Sequence, residues 1–284
     1  MSAPVTQRHP EGRGSGPVQS RRSDARKEDP LSDDAPSGVL SKALAVLQAF
    51  TVEDTSLGFT ELQRRTGFAK STLHRVLGDL VAARLLDRHQ GRYRLSGLVF
   101  ELGMRASVER GLLEVATPFL EDLYERTHEL VHLGTREGTE VVYVAKMGGH
   151  QQADSPSRLG GRMPLHATAL GKVLLGHAPA DVREAALRGP LERKAPRTIT
   201  NLDVLTRQLN EVVTKGVAFE YEESAVGIVC VAAGIFGPSD EIVAAVSVTG
   251  PVHRFQPARH ANSVRAAAAG ISATLGRRAE LRGH

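Results

Sequence analysis

The chain has 284 residues, of which 41% are hydrophobic, and its formal net charge is +4 at pH 7. This length allows two domains with separate cores. The single cysteine, Cys230, excludes an internal disulfide and predicts a reducing, cytoplasmic compartment. No apolar run approaches the roughly 18 residues of a membrane span, and none near Met1 has signal-peptide length, so we expect a soluble protein with no membrane partner.

The first segment, residues 1–37, is rich in Gly, Pro, Ser, Arg and Asp and poor in aliphatic residues. Such a segment cannot bury enough apolar surface to offset its ordering entropy, so we predict a disordered tail. From about Val39, apolar residues at helical spacing predict a first helix, capped by Ser37 or Ser41. Its inner stripe consists of Ala43, Val46, Leu47 and Phe50.

Two short helices around a tight turn are predicted next. Thr60 and Gln63 have the spacing of a capping box, which predicts a helix from about Glu61. Gly67 can adopt the left-handed conformation that ends this helix. After the turn, apolar residues three and four positions apart predict a second helix with one buried stripe. That stripe consists of Leu73, Val76, Leu77 and Leu80.

The opposite face of the second helix carries donors that could reach base edges and phosphates in a major groove. These candidate DNA-binding side chains are Lys70, Ser71, Thr72, His74 and Arg75. Residues 86–95 then predict two short strands around Gln90–Gly91, in which Arg92 and Arg94 would hold the flanking DNA backbone. The whole segment predicts a winged helix-turn-helix domain over residues 38–96.

The charge distribution favours the same interpretation. Between Gly38 and Gly97 there are nine Lys and Arg residues and five Asp and Glu residues, a net charge of +4. The tail contains six of each sign, and the remainder of the chain contains 21 of each. A charged face is most often only a solvated surface, but here the whole positive excess lies in the segment whose pattern predicts DNA binding.

The rest of the chain predicts a linker helix over residues 97–110, with Leu98, Val99, Leu102 and Met104 as its apolar positions, and an α+β domain over residues 111–280. In such a domain one face of the sheet can be covered by helices while the other forms a ligand cavity. Helices are predicted at 112–127, with Pro118 at a start or kink, at 168–175, at 202–215 between Asn201 and Gly216, and at 258–275. Strands are predicted at 130–136, 140–146, 217–222, 228–236 and 242–249.

One enzyme-like motif is His128-Glu129-x-x-His132. In zinc hydrolases this spacing places two imidazoles on one face of a helix, with the Glu as general base. Here the helical pattern ends near Thr127, and Val131 and Leu133 alternate as strand residues. The favoured interpretation is therefore a helix-to-strand junction with no metal and no catalysis, while a zinc-dependent hydrolase is kept as an alternative.

Two further features have ordinary explanations. Gly171 and Lys172 resemble the end of a phosphate-binding loop, but His166 stands where the first glycine is required and Val173 replaces the Ser or Thr, which excludes a Walker-type site. Cys230 lies in an apolar strand, where a small buried thiol is more common than a nucleophile or redox sensor. Such a residue could still line a ligand cavity.

Several separated motifs in this sequence resemble those of IclR-type transcriptional regulators. They are Lys70–Arg75 in the second helix, Met163–Lys172, Gly227–Ala233 and Val246–Pro251. The resemblance covers about residues 38–280. It implies a winged helix-turn-helix joined to a GAF-like effector-binding domain, dimers through the DNA-binding part, and often tetramers through the effector part. One departure is Arg84, where many relatives have a glycine; if the position needs a left-handed backbone, Arg is strained there.

The resemblance also implies a cavity for a small organic acid, with no cofactor. Carried over by motif, the effector-binding residues would be Met163, Ala169, Leu170, Glu220, Cys230, Ser247 and Thr249. Backbone N–H groups where the helix at Ala169 begins suit an anion. Ser247 and Thr249 are two positions apart on one strand, so both hydroxyls point to the same face. Glu220 would oppose a carboxylate ligand unless it accepts a ligand hydroxyl or is protonated.

The sequence therefore predicts a ligand-responsive DNA-binding regulator, a repressor of a catabolic operon that senses a small organic or aromatic acid. We expect a homodimer or homotetramer on a palindromic operator of double-stranded DNA. A third possibility is a small-molecule sensor that acts through protein partners and uses its helix-turn-helix only to dimerise.

Overall fold

The computed structural model of the chain describes residues 38–51, 53–105, 107–148 and 155–282. The tail predicted over residues 1–37 lies outside these described residues. No helix within the described ranges is both long and apolar enough to cross a membrane.

The amino-terminal domain is a winged helix-turn-helix. Its elements are α1 (Val39–Gln48), β1 (Leu57–Gly58), α2 (Phe59–Thr66), α3 (Lys70–Ala82), β2 (Leu86–His89) and β3 (Arg92–Leu95). The predicted stripe of α3 is buried and packs with Val46, Leu62 and Tyr93 in one core. β2 and β3 form the predicted wing, and β1 adds a third strand against β3.

The predicted helix starts need correction, because neither of the first two helices has a side-chain cap. α1 begins after Gly38, and the Ser41 hydroxyl does not cap it. α2 begins after Gly58, two residues before the predicted start, so the capping box of Thr60 and Gln63 is wrong. The reason is that Gly58, the last residue of β1, directly precedes the helix, so an extended residue without a side chain occupies the cap position. The Gln63 side chain instead donates to the carbonyl of Phe68 (3.3 Å).

Among the described residues of the amino-terminal domain, two that follow helices adopt the left-handed conformation. Gly67 ends α2 with φ of 69°, as predicted. Arg84 follows α3 with φ of 59°, so the position where relatives have a glycine does require this backbone, and Arg84 bears the associated strain. Ser96 donates a hydrogen bond to the carbonyl of Arg84, which ties the strained residue to the end of the wing.

The carboxy-terminal domain is α+β, as predicted. After α4 (Gly97–Met104) and α5 (Ser107–Thr127), its strands are β4 (Leu130–Glu137), β5 (Glu140–Met147), β6 (Arg162–Pro164), β7 (Ala218–Tyr221), β8 (Ile228–Phe236) and β9 (Ile242–Pro251). Its later helices are α6 (Ala169–Gly176), α7 (Ala180–Ala186), α8 (Leu202–Lys215) and α9 (Pro257–Arg282). These strands form an antiparallel sheet in the order β6-β5-β4-β9-β8-β7.

Two helices are longer than predicted. α5 begins five residues before residue 112, because residues 107–111 have too few apolar side chains to reveal a buried stripe, and Pro118 lies inside the helix rather than at its start. α9 extends to Arg282, beyond the predicted end at residue 275. By contrast, α8 has the predicted Asn201 cap and the predicted Gly216 stop.

The two faces of the large sheet have different roles. One face carries side chains such as Val131, Val246 and Val248, which pack against α5 and α9 in a continuous apolar core. The other face packs against α6 and α8. Because neighbouring residues of a strand point to opposite faces, every second residue of β4, β8 and β9 lies on this second face, where a cavity remains.

Candidate functional sites

The exposed face of α3 is the candidate DNA-binding surface. Burial of its apolar stripe leaves Lys70, Ser71, His74 and Arg75 exposed and Thr72 half-buried, so the structure places these five predicted residues on one face. The His74 ring stacks on Phe59 with centroids 4.4 Å apart, which fixes its orientation. No hydrogen bond or ion pair joins the Arg75 guanidinium to the described residues, so it can reach outward.

The two predicted wing residues are exposed but already have partners. Arg92 and Arg94 flank the buried Tyr93, so they lie on the same side of β3. Arg92 donates to the hydroxyl (2.8 Å) and carbonyl (2.7 Å) of Ser56, which fastens the segment before β1 to the wing. Arg94 pairs with Asp87 at 3.1 Å. Exposed pairs of this kind contribute about 1 kcal/mol or less, so DNA phosphates could compete for either arginine.

The candidate effector cavity lies between the second face of the sheet and the start of α6. All seven residues predicted from the family motifs line it: Met163, Ala169, Leu170, Glu220, Cys230, Ser247 and Thr249. The sequence interpretation missed the other lining residues, which are His132, Tyr143, Ser155, Pro156, Thr168, Ser224 and Ile228. Pocket residues far apart in sequence are therefore adjacent in the fold.

Strand register explains which residues meet in the cavity. Thr249 lies opposite Cys230, and Cys230 lies opposite Glu220 on the next strand. On the other side Ser247 lies opposite His132. The alternation that placed Ser247 and Thr249 on one face would have identified His132 too, if the pairing of β4 with β9 had been known.

The cavity is narrow in this conformation. The centre of a water-sized sphere can occupy only about 10 Å³ of it, which is room for about one water molecule. An organic acid with a ring therefore requires some lining side chains to move. Leu170 packs closely against the sheet here, with its Cδ1 3.1 Å from where a Cβ on Gly134 would be.

The first turn of α6 presents N–H groups to the cavity. The Thr168 hydroxyl accepts from the N–H of Gly171 at 2.9 Å, which leaves those of Ala169 and Leu170 without an acceptor inside the helix. Gly171 is required here, since an added Cβ would lie 2.2 Å from the carbonyl oxygen of Leu165. This close packing fixes the helix start, where N–H groups and the helix dipole favour an anion.

Burial raises the pKa of both the acidic and the thiol group of the cavity. Burial raises the pKa of Glu220 to about 7, and Ser224 donates to its Oε1 from the backbone N–H (2.9 Å) and from the hydroxyl. Burial also raises the pKa of Cys230 to about 12, and the Thr249 hydroxyl donates to its Sγ at 3.0 Å. Cys230 is therefore a neutral wall residue, consistent with the sequence interpretation, and not an activated nucleophile.

His132 belongs to the cavity wall and not to a zinc helix. α5 ends at Thr127, His128 has φ of 50°, and His132 lies in β4, so the two imidazoles are not one helical turn apart. Burial lowers the pKa of His132 to about 3, which keeps the ring neutral, and Ser157 lies 2.8 Å from its Nε2. Glu129 forms an ion pair with Arg254. The arrangement required by the zinc motif is therefore not formed.

A short segment connects the cavity wall to the DNA-binding domain. Ser157 contacts His132, and the next residue, Arg158, forms an ion pair with Glu53 in the loop before β1. The adjacent Asp54 is paired with Arg65 of α2 at 2.5 Å. A run of adjacent side-chain contacts thus joins the cavity wall to the helix-turn-helix.

Lys172 has a structural role that the sequence did not reveal. It is 1% exposed, and its Nζ lies 2.6 Å from Glu223 Oε1, 2.8 Å from Gln208 Oε1 and 3.1 Å from the carbonyl of Phe219. β7 is an edge strand, and the Phe219 contact satisfies one of its outward carbonyls. Lys172 therefore covers part of the sheet edge at β7 by donating to a backbone carbonyl there.

Comparisons with known proteins agree with both domains. The model described as the IclR helix-turn-helix domain matches residues 39–90, and the model described as bacterial transcriptional regulator IclR C-terminal matches residues 104–273. The HTH-type transcriptional regulator XynR of Escherichia coli is 33% identical over 230 residues, which are 78% of this chain and 90% of XynR. The HTH-type transcriptional repressor AllR of Klebsiella pneumoniae is 30% identical over 243 residues, 84% of this chain and 89% of AllR.

A solved structure extends the similarity to three dimensions. An IclR homolog from Microbacterium hydrocarbonoxydans, complexed with 4-hydroxybenzoate, is similar with a TM-score of 0.78 and 30% sequence identity, and the match covers 84% of this chain and 99% of that one. The family models, the curated relatives and the fold agree with the resemblance that the sequence motifs indicated. The chain belongs to the IclR family of ligand-responsive, DNA-binding transcriptional regulators.

Proposed function

We propose that the protein represses a catabolic operon and that a small organic or aromatic acid relieves this repression by binding in the effector cavity. The observation that carries the proposal is the convergence of all seven motif-predicted residues on one cavity beside the start of α6. The repressor assignment is supported by the relative AllR, which is named a repressor.

The acid character of the effector is supported by the chemistry of the cavity. The N–H groups of Ala169 and Leu170 suit a carboxylate, and Ser247, Thr249 and Ser224 supply hydroxyls for a second polar group. The similar Microbacterium protein is complexed with 4-hydroxybenzoate, an aromatic acid of this kind. We therefore select 4-hydroxybenzoate as the first compound to test.

The proposed DNA contacts follow from the position of α3. In a winged helix-turn-helix the second helix enters the major groove, so Ser71, Thr72, His74 and Arg75 would contact bases or phosphates. Lys70 stands at the start of the helix, where it would meet a phosphate. Arg92 and Arg94 would hold the DNA backbone beside the groove.

A dimer is supported by exposed apolar side chains on two helices of the DNA-binding half. On α1, Val39 is 67% and Leu40 is 73% exposed, and on α4, Phe100 is 71% exposed. Such side chains favour burial against a partner. A second copy would cover them in a symmetric dimer, which in turn would prefer a palindromic operator with half-sites about one helical turn apart.

The experiment that tests the proposal is a thermal-shift screen of organic acids followed by DNA binding. An acid that raises the melting temperature of the wild-type protein should also weaken its binding to the promoter fragment that it recognises. No stabilisation by any acid would contradict acid sensing. An acid that strengthens DNA binding would indicate a corepressor-type response and contradict relief of repression.

The two alternatives are separated by other measurements. A zinc hydrolase predicts stoichiometric metal in the purified protein and an activity lost in Glu129→Gln. A sensor that acts only through protein partners predicts no salt-dependent affinity for DNA, whereas DNA binding predicts affinity that falls steeply as salt increases.

A further inference from the structure

The effector cavity contains polar groups that the protein itself does not use fully. At one end are the N–H groups of Ala169 and Leu170, which have no acceptor inside α6. On β9 the buried Ser247 hydroxyl lies beside the Cys230 thiol but makes no hydrogen bond of normal geometry with the described residues. On β7 both hydrogen bonds from Ser224 reach Oε1 of Glu220, and Oε2 receives none from the described residues. A bound molecule would meet all of these groups.

No cation in the described structure is available to neutralise Glu220. The charge of Lys172 lowers the pKa of Glu220, but the three hydrogen bonds of the Lys172 ammonium group go to Glu223, Gln208 and a backbone carbonyl. The other titratable groups around Glu220 are Glu223 on the turn after β7, Cys230 on β8, Tyr143 on β5 and His132 on β4. Glu223 repels a charge on Glu220, and the remaining three are held neutral.

Repulsion between negative charges limits which ligands the cavity can bind. A carboxylate at the start of α6 and an ionised Glu220 would place two negative charges in one small buried space. Like charges buried in the same small cavity oppose each other, so one of them has to be neutralised. A protonated Glu220 resolves the conflict and offers one donor and one acceptor to a neutral polar group of the ligand, such as a hydroxyl.

Building on the proposed function, we propose that Glu220 is a specificity-determining residue: it admits singly charged acids that carry a separate hydroxyl, excludes dicarboxylates, and couples binding to the uptake of one proton. A second carboxylate in the ligand would bring a further negative charge to Glu220 and Glu223. Burial, which raises the pKa of Glu220 to about 7, sets the pH range in which the coupling is visible.

The first test measures binding as a function of pH by isothermal titration calorimetry with the full-length protein. The probes are two matched pairs, 4-hydroxybenzoate with terephthalate and glycolate with malonate, in which a carboxylate replaces the hydroxyl. For a singly charged acid that binds, we expect the dissociation constant to rise about fivefold between about pH 7 and pH 8, and to approach a tenfold rise per pH unit above that. In buffers of different ionisation enthalpy, the heat should report uptake of up to one proton per site.

The second test uses Glu220→Gln, which keeps the size of the side chain and removes its titration. In this variant the dissociation constant of the singly charged acid should be nearly independent of pH, and the difference between it and the matched dicarboxylate should shrink at least about tenfold at pH 8. Glu222→Gln is the matched control, since this neighbouring carboxylate pairs with Arg197 outside the cavity. It should retain proton uptake.

The possible results distinguish the role of Glu220 from acid sensing in general. A wild-type protein that binds a dicarboxylate as tightly as its singly charged partner, or that binds any acid without proton uptake near pH 7, would overturn the role of Glu220 while leaving acid sensing intact. Failure of all the acids to bind wild-type protein would contradict both. If Glu220→Gln does not fold, the proton uptake and the pairwise selectivity of wild-type protein still decide the inference.

Discussion

At the scale of single residues, the buried carboxyl of Glu220 makes the stability of the protein depend on pH. Its pKa rises from 4.5 to about 7 on folding, so the folded state holds this proton more tightly than the unfolded state. The stabilising contribution is complete below about pH 4.5 and is lost as the pH rises to about 7.

We therefore expect the free energy of unfolding of wild-type protein to fall by about 3 kcal/mol relative to Glu220→Gln between about pH 4.5 and pH 7. Denaturant unfolding of both proteins across this range provides the measurement. His132, whose pKa is lowered on folding, acts in the opposite direction, but it is common to both proteins and cancels in the difference. A constant difference would show that Glu220 is ionised in the folded state.

Arg75 is the residue of α3 that we propose reads a base, because its exposed guanidinium has no partner among the described residues. Replacing it with Ala should weaken binding to the specific operator by about 1 to 3 kcal/mol if it contacts a base edge, and should relax the preference at that base pair. Fluorescence anisotropy with specific and random DNA gives both affinities. Arg126→Ala, which removes an exposed arginine of α5, is the control. An equal loss on both DNAs would assign Arg75 to a phosphate instead.

At the scale of elements, residues 155–158 contact both the cavity wall and the DNA-binding domain. Arg158 pairs with Glu53 beside the loop that supports α2 and the wing, and Ser157 contacts the cavity wall. An exposed pair of this kind contributes at most about 1 kcal/mol, so its effect on coupling should be a change of about fivefold or less.

We expect Glu53→Gln and Arg158→Gln to leave the affinity for the acid unchanged and to reduce the effect of the acid on operator binding. The charge reversal that combines Glu53→Arg with Arg158→Glu should restore part of this effect, which a double-mutant cycle would quantify. Single variants with an undiminished response would place the coupling elsewhere, for example in the linker helix α4.

The exposed side chains of α1 and α4 lead to a prediction about assembly. Phe100→Asp should shift the protein from dimer towards monomer in analytical ultracentrifugation, because it places a charge in the proposed interface. Val226→Asp changes a side chain of similar exposure, 69%, on the turn before β8, and should leave the dimer intact. If Phe100→Asp sediments as wild-type protein does, a second copy does not cover α4.

At the scale of the whole molecule, the sequence predicted correctly those elements whose ends are set by residues next to them in the chain. α8 was predicted at both ends because its Asn201 cap and Gly216 stop are local in sequence. β1 was not predicted, since a strand of two residues exists only by pairing with β3. α7 was missed because none of its residues is buried, and it therefore has no apolar stripe to detect.

The cavity illustrates the same division between local and tertiary information. The family motifs supplied its seven candidate residues, but periodicity alone would have given only the shared face of Ser247 and Thr249. The motif His128-Glu129-x-x-His132 suggested a metal-binding role for His132 from the identity of its sequence neighbours alone. Its actual neighbours, Ser247 across the strand pair and Ser157 in a later segment, come from tertiary structure.

The central claim is that an acid in the carboxy-terminal cavity changes the hold of the amino-terminal domain on DNA. It is tested most directly by titrating full-length protein onto its own promoter fragment at low ionic strength, with and without the acid that most raises its melting temperature. We predict retardation of the fragment without the acid and an affinity at least about fivefold weaker with it. Failure to retard the fragment in either condition would contradict the account.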